Sequence, residues 1–171
     1  EDEKKKMLGT IKVSVDRMLN QVSDLLDSSK LEAGKFDISL SQGNINNVIT
    51  DRVSVLNYDA EIRKVKLESH LDPHMPEFEF DPERMGQVVN NLISNALKFT
   101  KAVGTVTIKS CVENGFAAIS ITDTGIGIPE DKKALLFSKY SQLESIAKSK
   151  GTGLGLYISK GIVEAHHGKI K

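Results

Sequence analysis

The sequence predicts an α+β fold, a two-layer α/β sandwich in which a mixed sheet is backed by helices and preceded by one long helix. Three observations carry this. Apolar residues recur at helical spacing in residues 3 to about 33, Ile45 to about Arg63, Asp81–Thr100 and Gly153–Ala165. Val65–Leu71, Thr105–Val112 and Phe116–Thr122 are short β-rich runs, and Asn114-Gly115 between the last two is a strong hairpin signal. Helices and strands therefore share one core.

Taken in order, residues 3 to about 33 place Met7, Ile11, Met18, Val22, Leu25 and Ser29 on an approximate heptad seam, which Leu8, Val15, Leu19 and Leu26 widen. So wide a stripe needs a partner, either the chain's own domain or a second helix of a bundle, and the spacing favours the bundle. Gly34 is the expected helix stop. Lys35–Leu40 alternates like a strand. Asn44 is placed to cap the next helix, whose inner face carries Val48, Ile49, Val53, Leu56 and Ala60. Pro73 and Pro76 punctuate the approach to Phe78-Glu79-Phe80. Asp81 as cap, Pro82 at the first position and Glu83 at the positive end of the dipole then start the helix whose buried stripe is Met85, Val88, Val89, Leu92, Ile93, Ala96 and Leu97. The last helix buries Leu154, Ile158, Ile162 and Val163 and ends at His167-Gly168.

Composition narrows the function. Twenty-three basic residues balance twenty-three acidic ones, so no global field favours nucleic acid or an anionic membrane, and binding must come from a local site. Cys111, the single cysteine, excludes a disulfide framework and a cysteine metal cluster and suits a reducing compartment. Neither a signal peptide nor a membrane span is visible in the sequence.

Asn91, Asn95 and Lys98 follow an i, i+4, i+7 progression and line one edge of their helix. An asparagine oxygen is a hard neutral ligand suited to Mg2+ beside nucleotide phosphates, and lysine supplies a point charge for the same phosphates. Read alone, the asparagines equally fit hydrogen bonds to neighbouring backbone. Two glycine motifs follow, DTGIGIP at Asp123–Pro129 and GTGLGL at Gly151–Leu156. The second precedes a helix, whose free N–H groups and dipole can receive phosphates. Its GxGxG spacing, with no strand immediately before it, disfavours a dinucleotide fold, and GxxxxGK[ST], HRD and DFG are all missing.

The three motifs in this order resemble the N, G1 and G2 boxes of the histidine-kinase ATP-binding domain, within the superfamily that includes gyrase and Hsp90. LLDSSKLEAGKF, Leu25–Phe36, resembles the end of the second dimerisation helix of those kinases, and LLFSKY resembles the F box of their ATP lid, Glu130–Lys150. The resemblance implies a Bergerat/GHKL fold, with residues 1–33 as that helix and 34–171 as the ATP-binding domain, its C-terminal strands expected to be missing. It implies ATP and Mg2+ as cofactors, with Asn95, and Asn91 beside it, toward the metal. Asn91, Asn95, Lys98, Asp123, Gly125, Gly127, Ile128, Phe137, Tyr140, Gly151, Thr152, Gly153, Leu154 and Gly155 would bind ATP. Within that set Asp123 would accept a hydrogen bond from the adenine amine, and Phe137 and Tyr140 would fold inward as anchors of the lid.

The implied function is transfer of the ATP γ-phosphoryl to a histidine, for relay to a response regulator. The phosphoacceptor is expected before Glu1, because His70, His74, His166 and His167 all sit in strands, loops or a helix end, as packing or surface residues. The implied partners are a second copy through the N-terminal helix and a receiver domain, with no nucleic acid and no membrane contact by this stretch. The implied location is cytoplasmic, within a full protein that can carry a membrane anchor. A gyrase- or Hsp90-like ATPase and a nucleotide-binding interaction module without kinase activity are the alternatives.

Overall fold

The computed structural model describes residues 2–141 and 152–171. Helix α1 (Asp2–Glu32) stops ahead of Gly34, which takes a positive φ of 63° as a helix terminator does. The segment after it departs from expectation. Lys35–Leu40 forms no strand, and β1 is confined to Ser41–Gly43, paired antiparallel with β3 (Phe78–Phe80). The cause is a competing acceptor: the Ser39 N–H donates to Asp81 Oδ2 at 2.8 Å instead of to a ladder.

Helix α2 (Ile45–Arg63) is capped by Asn44, whose side chain accepts from the Asn46 N–H at 2.9 Å and donates to the Met75 carbonyl at 2.8 Å. One asparagine thus starts a helix and fixes the loop before β3. Strand β2 (Lys66–His70) runs parallel to β4 (Thr105–Glu113), and β4 runs antiparallel to β5 (Phe116–Asp123), giving a mixed sheet in the order β2-β4-β5. Asn114 and Gly115 turn the hairpin with φ of 51° and 82°, the left-handed pair that a two-residue loop requires. Val106 then pairs with Asp123, which sets the end of β5 beside the start of β4.

Helix α3 (Pro82–Phe99) connects the layers. Its Val89, Ile93, Ala96 and Leu97 join Ile45, Ile49, Leu56 and Ala60 of α2 and Val106 and Ile108 of β4 in one core. Val88 instead meets Leu154, Ile158 and Ile162, the last two on α5 (Gly155–Ala165), in a second cluster. With two faces buried, the third presents Asn91, Asn95 and Lys98. A short helix, α4 (Glu130–Lys133), follows β5.

Asp81 holds several of these parts together. Its Oδ1 accepts the Arg84 N–H at 3.0 Å, and its own N–H donates to His166 Nε2 at 2.9 Å while His166 Nδ1 lies 2.8 Å from the Ile162 carbonyl. The packing role expected of His166 is thereby specified, with Nδ1 as the donor. Burial works against ionisation of the Asp81 carboxyl, but backbone N–H groups of Arg84, Ser39 and Glu83 and the Arg84 charge outweigh it and hold it below the ordinary 3.8. Asp81→Ala should therefore cost about 1–2 kcal/mol in urea denaturation at neutral pH. Because the folded-state value is the lower one, acid protonates the unfolded chain first. The advantage over Ala is complete above the unfolded value and should fade as pH falls below about 4, which repeating the denaturation at pH 3 would check.

Candidate functional site

A cavity of about 870 Å³ opens between α3, the end of β5 and the start of α5. Asn91, Asn95 and Lys98 line it from α3, as their spacing requires. Asn91 is held on both sides: its Nδ2 donates to Ser159 Oγ on α5 at 3.0 Å, and its Oδ1 accepts from Asn95 Nδ2 at 3.4 Å. A Cβ on Gly155 would run into Asn91 Oδ1, so the glycine that opens α5 is what lets the two helices bring this amide to the cavity. The Lys98 ammonium stands 5.0 Å from the centroid of the Phe99 ring.

At the other end, Asp123 lines the cavity from the last position of β5, and its Oδ1 accepts the Gly125 N–H at 2.8 Å. Gly125 does not itself line the space. A Cβ there would stand 2.5 Å from the Phe99 carbonyl oxygen and 2.6 Å from Asp123 Oδ1, so its part is to let the turn close against the end of α3. Gly127 and Ile128 continue the wall.

Thr152, Gly153 and Gly155 line the cavity ahead of α5, which begins at Gly155 and not at Gly153. Leu154 does not, since its side chain is 3% exposed and belongs to the cluster with Val88 and Ile158. Gly151 and residues 142–150 of the expected lid lie outside the described residues. Phe137 is half-buried and lines the cavity as expected. Tyr140 corrects the expectation: it is 57% exposed, with the Lys139 ammonium 5.1 Å from its ring centroid. Its backbone is pinned with a φ of 60° against Gly153, where a Cβ would stand 2.8 Å from the Tyr140 carbonyl carbon, and Lys139 is drawn to Glu32 of α1 at 2.6 Å.

Two lining or supporting residues escape a sequence reading. Ser159 has a faint signal, standing one turn after Gly155. Asp24 has none, because it reaches the cavity from α1, where its Oδ2 accepts from Thr152 Oγ1 at 3.3 Å. Three residues on, Asp27 is 3% exposed and its Oδ2 accepts from Arg84 Nη1 at 2.9 Å and Gln87 Nε2 at 3.0 Å, which clamps the end of α1 to α3.

Among the described residues no group of three or more His, Cys, Asp or Glu side chains could hold a metal ion, and no helix is long and apolar enough to cross a membrane. Any cation here would share its coordination with a ligand and water. The amide oxygens of Asn91 and Asn95 fit that demand, being hard donors without charge at the cavity wall.

Residues 80–171 match the family described as histidine kinase-, DNA gyrase B-, and HSP90-like ATPase. The circadian input-output histidine kinase CikA of Synechococcus elongatus is 36% identical over 162 residues, which cover 92% of this chain and 22% of the relative. The chain thus spans about a fifth of that protein's length. Full-length ShkA in complex with AMPPNP superposes with a TM-score of 0.78 at 27% identity, over 88% of this chain and 31% of that one. The nucleotide-free catalytic domain of the histidine kinase ThkA gives 0.67 at 27% identity, over 75% and 84%. Fold, motif order and relatives agree: the chain belongs to the histidine kinase-, DNA gyrase B- and HSP90-like ATPase family, and its ATP-binding catalytic domain is of the sensor histidine kinase kind.

Proposed function

We propose that this chain is the catalytic region of a two-component sensor histidine kinase, with residues 1–33 as the second dimerisation helix and 34–171 as the ATP-binding domain. The reaction it serves moves the γ-phosphoryl of ATP to a histidine outside this chain and then to an aspartate on a response regulator. The observation that carries this is the convergence on one cavity of Asn91, Asn95 and Lys98 with Asp123 and with Thr152, Gly153 and Gly155.

Each group has a task that its chemistry suits. The Asp123 carboxylate accepts the exocyclic amine of adenine; guanine would turn a carbonyl toward it with no proton between them. Lys98 attracts the phosphate tail, and the start of α5 offers it free N–H groups. Asn95, with Asn91 beside it, would hold Mg2+, whose charge when bound stabilises the phosphoryl oxygens. Phe137 covers one side of the cavity and helps exclude water. The apolar face of α1 supports pairing with a second copy, since Met7, Ile11, Val15, Met18, Leu19 and Val22 are 47–67% exposed.

Calorimetric titration with ATP, ADP and GTP, with and without Mg2+, tests the reading. Binding should be adenine-selective and strengthened by Mg2+, and Asn95→Ala should lose most of the Mg2+ dependence. GTP bound as tightly as ATP would sink the assignment of Asp123, and Mg2+ dependence unchanged in Asn95→Ala would sink that of the metal ligand.

A further inference from the structure

The geometry points to Asp24 as a specificity-determining residue, one that reads the length of the phosphate tail and weakens binding of the triphosphate relative to shorter nucleotides. The inference rests on the nucleotide reading of the cavity. Asp24 belongs to α1, ahead of the residues that match the ATPase family, yet its carboxylate forms part of the cavity wall. It meets the cavity at Thr152, directly before the glycines assigned to the phosphates; of these Gly155 abuts Asn91, two turns of α3 before Phe99, against which Gly125 closes beside Asp123, where the base is placed.

Among the described residues its charge meets little compensation. The Thr152 hydroxyl donates to Oδ2 at 3.3 Å and also accepts the Leu154 N–H at 3.3 Å, so among the described residues one neutral contact serves the carboxylate. Among the described residues no cation is paired with Asp24, and the nearby Arg84 is committed to Asp27 at 2.9 Å. Burial pushes the Asp24 carboxyl above its ordinary value; the Thr152 bond offsets part of that, and the charge of Asp27 adds to it.

A distal phosphate arriving at Thr152 meets a like charge inside a partly dry wall, where repulsion is stronger than in bulk water. An α-phosphate, one ribose away from the base, stops short of it. The backbone that carries Asp24 is held on the domain, because Asp27 on Arg84 and Gln87, and Leu31 packed on Gly161 of α5, fix the same stretch of helix. By reciprocity, whatever lifts the end of α1 off the domain raises the affinity for the triphosphate by the same factor that the triphosphate favours lifting.

Asp24→Asn keeps the size and an acceptor for Thr152, removes the charge and exchanges one acceptor oxygen for an N–H donor, so Asp24→Ala, which adds no donor, must shift ATP affinity in the same direction. Affinities for ATP, ADP and AMP should be measured calorimetrically on the whole chain and on the variant, at fixed Mg2+ and low salt. The variant should bind ATP roughly three- to tenfold more tightly than the parent, ADP with a smaller gain and AMP unchanged, with the gain shrinking as salt is raised. Unchanged AMP binding certifies an intact cavity. An equal shift for all three nucleotides, or none, overturns the inference, and so does weaker ATP binding, which would make Asp24 a metal ligand. A parent chain that binds no ATP at all overturns the nucleotide reading and this inference with it.

Discussion

Asp123→Ala should bind ATP about ten- to a hundredfold more weakly, the loss of one charge-assisted hydrogen bond of roughly 1.5–3 kcal/mol, while the domain stays folded. Folding should survive because Asp123 is exposed at the last position of β5 and, among the described residues, its side chain has one bond within the chain, from the Gly125 N–H at 2.8 Å. That bond makes a second variant necessary. Asp123→Asn retains an oxygen for the Gly125 N–H but can turn an amide toward the adenine amine, donor against donor. If the carboxylate reads the base, both variants lose affinity to a similar degree. Loss in Ala with retention in Asn would instead assign Asp123 to bracing the turn. Titration of both with ATP, alongside thermal melts, separates the two.

No acid-labile phosphoprotein should form when the chain is mixed with labelled ATP and Mg2+. All four histidines are accounted for by the fold. His70 sits on β2 with Nε2 3.9 Å from Glu68, and His74 lies in the loop fixed by Asp72, whose Oδ1 accepts the His74 N–H at 2.9 Å. His166 has both ring nitrogens engaged, and His167 follows α5 with a φ of 58°. None lines the cavity, and α1 carries no histidine, so in-line approach to a γ-phosphate is closed to each. A separate dimerisation domain bearing a histidine should restore transfer in trans. Mass-spectrometric detection of phosphohistidine at 70, 74, 166 or 167 would overturn the division of roles.

Local chemistry made much of this fold legible. Asp81, Pro82 and Glu83 announce the start of α3, Asn44 that of α2, and Asn114-Gly115 the hairpin, because each signal acts within a few residues of itself. The site was legible where it lies on one helix, since i, i+4, i+7 spacing alone puts Asn91, Asn95 and Lys98 on a common edge. Failures came where a distant residue decides. The alternation of Lys35–Leu40 is real, but Asp81, some forty residues on, takes the Ser39 N–H from any ladder. Tyr140 resembles an inward anchor until Gly153 and the Lys139–Glu32 pair are seen to fix it outside. Asp24 is silent in sequence, as its partner Thr152 lies 128 positions away.

The attachment of α1 has a mechanical side. At 31 residues the helix is about 46 Å long, given ~1.5 Å of rise per residue, and its named contacts with the domain, from Asp24, Asp27, Leu31 and Glu32, all fall in its last three turns. It is a lever with its fulcrum at the nucleotide cavity. A tilt of about 5° about that end swings the far tip by about 4 Å for a helix of this length, so coarse motion at the tip is geared down to sub-ångström adjustment at Thr152. Force applied at the tip is multiplied in the same ratio. A pull there bears on the contact between Asp24 and Thr152, and on the Asp27 clamp to α3 one turn further along.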